Sequence, residues 1–415
     1  MPKVTPFCAI RPNKEIASKF CALPYDVYNR EEATKVVRSN PMSFLGIDRA
    51  ETAFEDEVDT YAPEVYALAR QMLIDREKEG VLIRDTSACF YIYELTMEGR
   101  VQTGIVACSS VEDYVSGAIK KHENTREEKE IDRIKHVDTT NAHTGPIFLI
   151  YRSWEELAKI VSDAKTPEKL LYDFTSDDGI RHRAFIIDDA DMVSRIEDIF
   201  AQIPCTYIAD GHHRCASAVK VGLKRKQADK EYTGREGYSR FLSVLFPDDE
   251  LMIMPYNRVV KDLNGLSEEA FFEAVKEAGF KIGKEKDEPV SPSKKGTFGM
   301  YLNGKWYQLT AYKKITSDDP VKGLDVSVLQ DNLLGPVLGI SDPRTDKRID
   351  FVGGIRGLKE LERRCSSDMQ IAFSMYPTSI QELLQVADAG LLMPPKSTWF
   401  EPKLRSGMFI HSLDD

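Results

Sequence analysis

One stretch, CTYIADGHHRCASAVKVGLK at residues 205–224, limits the fold more than any other part of the chain. Its first part is a short apolar run of the kind that ends a strand. The part from His213 on places small or apolar residues at Cys215, Ala218, Val219 and Leu223, one face of a helix. Asp210-Gly211 is then the turn between strand and helix. A helix starting there leaves backbone N–H groups unpaired at its tip, where the macrodipole favours negative charge. Anions settle readily at such tips.

The residue types in the turn fit that use. Gly211 carries no Cβ to hold a ligand off the backbone, and Arg214 offers a planar fork to phosphate oxygens. His212 and His213 add donors, and either can shuttle a proton. Asp210, at the strand end, is placed to hold a metal ion, orient a histidine or accept a hydroxyl proton. Two plainer readings compete: Asp210 as a simple helix cap beside solvated histidines, and a zinc site. Neighbouring residues on a helix diverge and no cysteine is suitably spaced, which weighs against zinc.

The remainder of the 415-residue chain reads as mixed α/β (α+β) in two lobes, 1–250 and 251–415, with the boundary near Pro247-Asp248-Asp249. Asn29 to Glu32 forms a capping box that starts a helix ending near Asn40-Pro41, and a second helix runs from Ala62 to Glu79. ACFYIYELTM and RVQTGIVACSS make a hairpin across Glu98-Gly99, and GPIFLIY and RHRAFIIDD are further strands. FLSVLFPDDELMIMP reads as two strands joined through the Pro247 turn. Beyond it come a helix over SEEAFFEAVKEAG, a hairpin turning at Asn303-Gly304, and helices at 326–338, 357–364 and 380–389.

Composition narrows the function classes. Acidic residues outnumber basic ones 67 to 56, a formal charge of −11, with no basic arm, so nucleic acid is not an expected partner. No apolar run of about 18 residues and no leader-like N-terminus is present, so no membrane partner and a cytoplasmic location are expected. The seven scattered cysteines lack a CxxC pair and read as reduced thiols.

Further polar clusters carry candidate site residues. In IKKHENTREEKEIDRIKH, Thr125 to Glu128 fits a capping box, placing His122 and Glu123 in the preceding loop and Arg126, Lys129 and Arg133 on one helical face. The sequel, VDTTNAHTGPIFLIY, holds Asn141 and His143 in a loop feeding a strand. ALPYDV places Asp26 just ahead of a capped helix. MPPKSTWFEPKLRSG gathers Lys396, Thr398 and Lys403 in an irregular segment suited to lining a cleft.

Taken together, ALPYDV, NPMSFLGIDRAE, HENTREEKEIDRI, GPIFLIY, IADGHHRCASA, PYNRVVKDLNG and MPPKSTWFEPKLRSG resemble the DUF1015 family over nearly the whole chain. That family is distantly similar to the ParB/sulfiredoxin superfamily, which includes kinases acting on free serine. The link lies in Asp210-Gly211-His212 and Arg214, similar to the Asp-Gly-His-x-Arg phosphate-binding turn of those kinases. The resemblance implies a ParB/sulfiredoxin-like core at 1–250 with an additional α/β lobe. It implies phosphoryl transfer to free L-serine with Mg²⁺ and a donor that is pyrophosphate, slightly favoured, or ATP or ADP; no Walker sequence is present. The expected roles are Asp26, Asp210 and His213 in catalysis, and Gly211, His212, His213, Arg214, Arg126 and Lys129 on phosphate. His122, Asn141, Lys396 and Thr398 are expected on the substrate, and Glu123 on the metal. The kinases' catalytic glutamate has no clear counterpart, which leaves the base open. The alternatives are a ParB-like nucleotide-binding regulator and a metal-dependent hydrolase using the histidines.

Overall fold

The computed structural model describes residues 1–125 and 127–414. The chain forms two compact units, Met1–Leu251 joined by Pro402–Asp415, and Met252–Glu401. Among the described residues no helix is long and apolar enough to cross a membrane.

The first unit is built on a mixed sheet of nine strands: β1 (Val4–Thr5), β2 (Phe90–Met97), β3 (Arg100–Ser110), β4 (Ile119–Lys120), β5 (Ile147–Tyr151), β6 (Leu170–Thr175), β7 (Arg181–Ile187), β8 (Thr206–Asp210) and β9 (Arg240–Pro247). Their order is β4-β8-β5-β9-β3-β2-β7-β6, with β1 on β3. β2 and β5 are apolar nearly throughout because both of their faces are covered. The expected β2–β3 hairpin turns at Glu98 and Gly99, both with positive φ. On one face Ile92, Ile105, Leu149, Ile208 and Leu245 pack against Leu157, Ile196 and Phe200 of two covering helices, and against Cys215 and Ala218. A separate cluster around Phe20, Phe44, Ile47, Val65 and Leu73 joins α1 (Arg30–Ser39), opened by the expected Asn29–Glu32 capping box, to α2 (Pro63–Lys78).

Two pairings position the site. β4 runs parallel to β8, with Thr206 opposite Ile119 and Tyr207 opposite Lys120. β5 runs antiparallel to β8, with Asp210 opposite Phe148. Residues following β4, residues following β8 and residues preceding β5 therefore emerge at one edge of the sheet, the carboxyl end of the parallel pair. Helix α3 (Glu127–Thr140) packs along α4 (His212–Ala228), where the Ser217 hydroxyl donates to the Glu130 carbonyl at 3.2 Å and Arg225 pairs with Asp138 at 3.0 Å. The Thr125 hydroxyl donates to the Glu130 carboxylate, and the expected Thr125–Glu128 capping box falls partly on Arg126 and the Glu128 side chain, outside the described residues.

The last residues return to the first unit. Ser406 bridges to Ala22, Ile410 to Ile10, and His411–Ser412 pairs with Ala142–His143. Arg405 is buried where it ion-pairs with Asp178 and donates to Ser176 at 2.9 Å and to His182 Nε2 at 3.4 Å. Because a guanidinium can only donate, Nε2 of His182 accepts, which puts the ring proton on Nδ1, 2.8 Å from the Tyr93 hydroxyl.

The second unit holds a six-stranded sheet whose pairs are all antiparallel. Its strands, in spatial order, are Phe280–Lys286, Lys305–Ala311, Thr297–Leu302, Ile371–Ser374, Tyr256–Val260 and Ile349–Gly353. The Asn303-Gly304 hairpin and the Ser267-capped helix Glu268–Glu277 fall where expected. Two expectations differ. Ile253–Met254 does not pair with β9 but with Trp399–Phe400. The helix expected at 326–338 is Asp325–Leu329, which then widens into a π-helical turn, Gln330–Leu334.

Burial keeps several histidines neutral. Desolvation pushes His136 and His411 down to about 4, and His182 down to about 3 with Arg405 adding to the effect. Unfolding raises each back to its ordinary value near 6.5, so between pH 6.5 and 4 the unfolded chain binds more protons and stability falls with falling pH. Thermal unfolding followed by circular dichroism is expected to show the midpoint dropping steadily from pH 7 to pH 4.5. A midpoint flat across that window would show that these rings are not buried in the neutral form.

Candidate functional site

Gly211 adopts φ of 88° and caps α4 with no side-chain cap, so the bend needs a residue without Cβ. Space makes the same demand: a Cβ here would lie 3.0 Å from Arg214 Nη2 and 3.1 Å from its Nε. Arg214 folds back over the glycine. Its Nη1 donates to the Pro146 carbonyl at 2.8 Å, and its Nη2 lies 3.5 Å from Asp210 Oδ2. Lys403 Nζ reaches the same Asp210 oxygen at 3.5 Å. The Asp210 carboxylate thus faces two cations rather than capping the helix.

Desolvation would raise Asp210, but the charges of Lys403 and Arg214, then His212, outweigh it and hold the carboxylate well below its usual range. Asp210 therefore lies between these two cations.

Beside this turn, the residues after β4 supply His122 and Glu123. The His122 and His212 rings meet edge to face, centroids 4.6 Å apart, and His212 Nδ1 lies 3.9 Å from Glu123 Oε2. Burial pushes His122 down to about 4 and His212 well below its ordinary value. Neither His122 nitrogen makes a hydrogen bond of ordinary geometry, although the Ile208 backbone lies close enough to favour the protonated ring. Ligand atoms of His122, Glu123 and His212 all lie within 4.8 Å of one another, a set able to hold a cation.

Two cavities open in the same unit. One, of about 200 Å³, is lined by Tyr25, Asp26, Asp48, Arg49, Asp132 and Arg133 among others. The second, about 30 Å³, shares Tyr25, Asp48, Arg133 and His136 with the first and adds Thr144, Gly145, Arg214 and Ser406. Asp26 sits on the 3₁₀ turn Tyr25–Val27, exposed at the wall of the first cavity. Arg133 is buried, bound to Asp132 at 2.7 Å, with its guanidinium carbon 4.0 Å from the centroid of the Tyr25 ring. Burial pushes the Tyr25 phenol up to about 12. Thr144 donates to the buried Asp48 carboxylate at 2.8 Å.

The expected residues divide accordingly. Asp26 lines the first cavity and Arg214 the adjacent second one, while Asp210, Gly211, His212, His122 and Glu123 gather at the strand edge. His213 is half-buried on the first turn of α4, its charge felt by Glu130. Asn141 is hydrogen-bonded within the unit: its Oδ1 accepts from Arg225 at 2.5 Å and its carbonyl from Leu413 at 3.0 Å. Lys396 and Thr398 belong to the second unit, where the Lys396 ammonium lies 5.4 Å from the Tyr256 ring centroid. Arg126 and the side chain of Lys129 lie outside the described residues. Arg133 was legible only as part of a charged stripe, and Tyr25 and Asp48 carried no sequence signal beyond lying near Asp26 and in a buried turn.

The sequence profile of the family described as "Protein of unknown function (DUF1015)" matches residues 4–327. No curated protein matches the chain. Among solved structures it is similar to a free serine kinase variant in complex with ADP, with 15% identity and a TM-score of 0.35 over 75% of this chain and 93% of that one. A conserved hypothetical protein from Pyrococcus furiosus is similar at 16% identity and a TM-score of 0.35, covering 75% and 96%. SbnI with C-terminal truncation from Staphylococcus aureus is similar at 10% and 0.38, covering 74% and 87%.

Replacing Gly211 by Ala forces an L-residue into the left-handed region and pushes on Arg214, at a cost of about 1–2 kcal/mol. Urea unfolding is expected to show that loss, and an unchanged midpoint would mean that the bend relaxes without the glycine.

Proposed function

We propose that this chain, which belongs to the DUF1015 family, transfers a phosphoryl group to the hydroxyl of free L-serine, giving O-phospho-L-serine. The observation that carries the reading is the adjacency of the two cavities, which share Tyr25, Asp48, Arg133 and His136: a carboxylate, Asp26, lines one and a phosphate-type cation, Arg214, lines the other. The Asp210-Gly211-His212-x-Arg214 turn, similar to the phosphate-binding turn of free-serine kinases, supplies the helix tip beside them.

In this reading the donor phosphates meet the N–H groups at the start of α4, with Arg214, Lys403 and His213 offsetting their charge. The serine zwitterion occupies the larger cavity. There Arg49 and Arg133 stand among Asp26, Asp48, Glu51 and Asp132, a lining of mixed sign that suits a molecule carrying both charges. The serine oxygen attacks the terminal phosphorus, its proton passes to the Asp26 carboxylate, and the bond from phosphorus to the leaving phosphate oxygen breaks. Such transfers depend on positioning and charge neutralisation more than on covalent help. Pyrophosphate needs only these groups, so it is favoured slightly over ATP or ADP as donor.

Mg²⁺ supplies charge shielding on the donor in such reactions. Glu123 is the residue that would hold it from the protein side. The neighbours of Glu123 are two imidazoles, however, and Mg²⁺ prefers an all-oxygen shell. The protein's own ligands fit Mg²⁺ poorly, so its place in this scheme is on the donor's oxygens.

Incubation of the full chain with L-serine, Mg²⁺ and, separately, pyrophosphate, ATP and ADP is expected to yield O-phosphoserine with at least one donor. Asp26→Asn should lower kcat by about 100-fold or more with little change in the KM for serine. Arg214→Lys keeps the charge but loses the fork, and should raise the donor KM by about 10- to 100-fold. Folded protein that makes no phosphoserine from any of the three donors would rule the reading out.

A further inference from the structure

We infer that His122, Glu123 and His212 form a binding site for a first-row transition dication such as Mn²⁺ or Zn²⁺. The sheet itself builds the site. Because β4 and β8 run parallel and in register, the two chains leave the sheet side by side. One delivers His122 and Glu123, the other His212. Both rings are buried, 2% and 6% exposed, yet both nitrogens of His122 and Nε2 of His212 lack a hydrogen bond of ordinary geometry. Buried polar atoms left that way call for a partner. A metal ion held between them provides one.

The donor set chooses the ion. Two imidazoles and one carboxylate suit manganese, iron, cobalt or zinc; magnesium and calcium take oxygen shells. The three ligand atoms lie within 4.8 Å of one another. Bonds of about 2.0–2.2 Å to a common ion require them to draw in from that span. Glu123, with its side chain 44% exposed, is the least buried of the three. Three protein ligands leave at least one position open for water or a ligand oxygen, at the tip of α4 beside Asp210. The neighbouring cation Lys121 directs its ammonium toward the Tyr114 ring, 5.9 Å from the centroid.

This site stands whether or not the chain is a kinase, and its test reads metal rather than turnover. Full-length protein stripped with EDTA is titrated with Co²⁺ while the visible d–d bands are recorded. In parallel it is dialysed against equal Mn²⁺, Zn²⁺ and Mg²⁺ and analysed for bound metal. The expected result is one equivalent of a transition ion retained, no Mg²⁺ retained, and Co²⁺ bands that saturate at one equivalent. His122→Ala and His212→Ala should each weaken binding by about 100-fold or more, as removal of a direct ligand does. Glu123→Gln, at a half-exposed position that leaves the core intact, should weaken it by about 10-fold with an unchanged circular dichroism spectrum. The inference is overturned if stripped wild-type protein binds no Co²⁺, Mn²⁺ or Zn²⁺, or if the His122→Ala/His212→Ala double variant binds as much as wild type.

Discussion

The guanidinium of Arg214 is the tie on which the arrangement of the first unit's functional edge depends. It leans over a glycine that has no Cβ to block it, donates to the carbonyl of Pro146 ahead of β5, and balances Asp210 at the end of β8. One planar group thereby fixes the separation of two strand ends and the start of a helix. Lys403 approaches the same carboxylate from a segment nearly two hundred residues further along the chain. Arg214 thus joins the residue ahead of β5 to the end of β8, and Asp210 in turn holds the later segment through Lys403.

That tie also sets the acidic residues apart by their surroundings. Asp210 faces two cations, whose charges hold its carboxylate well below the usual range. Asp48 is buried and takes the Thr144 hydroxyl, and Asp132 is bound to Arg133. Asp26 differs in being exposed at a cavity wall.

Local features of the fold were legible in the sequence because their causes are local. The Asn29–Glu32 box, the hairpins at Glu98-Gly99 and Asn303-Gly304, and the strand, glycine and helix at residues 206–228 each depend on a few neighbouring residues. Strand order depends on the whole chain, and nothing near Ile119 announces that it will lie against Thr206. For that reason the adjacent pair His212-His213 by itself weighed against zinc; the ring that meets His212 edge to face is His122, brought in by a parallel pairing. The partner of Asn141 is equally non-local: Arg225 of α4 donates to its side chain at the end of α3.

The return of residues 402–415 to the first unit makes the whole of Met252–Glu401 an insertion within it. During synthesis the chain emerges from its N-terminus and units fold as they appear. The first unit must therefore wait, lacking Lys403 beside Asp210 and Arg405 against Asp178, until the inserted unit has been made in full. The nascent protein passes through a long interval in which most of its first sheet has been made but the strand-edge partners supplied by residues 402–415 have not.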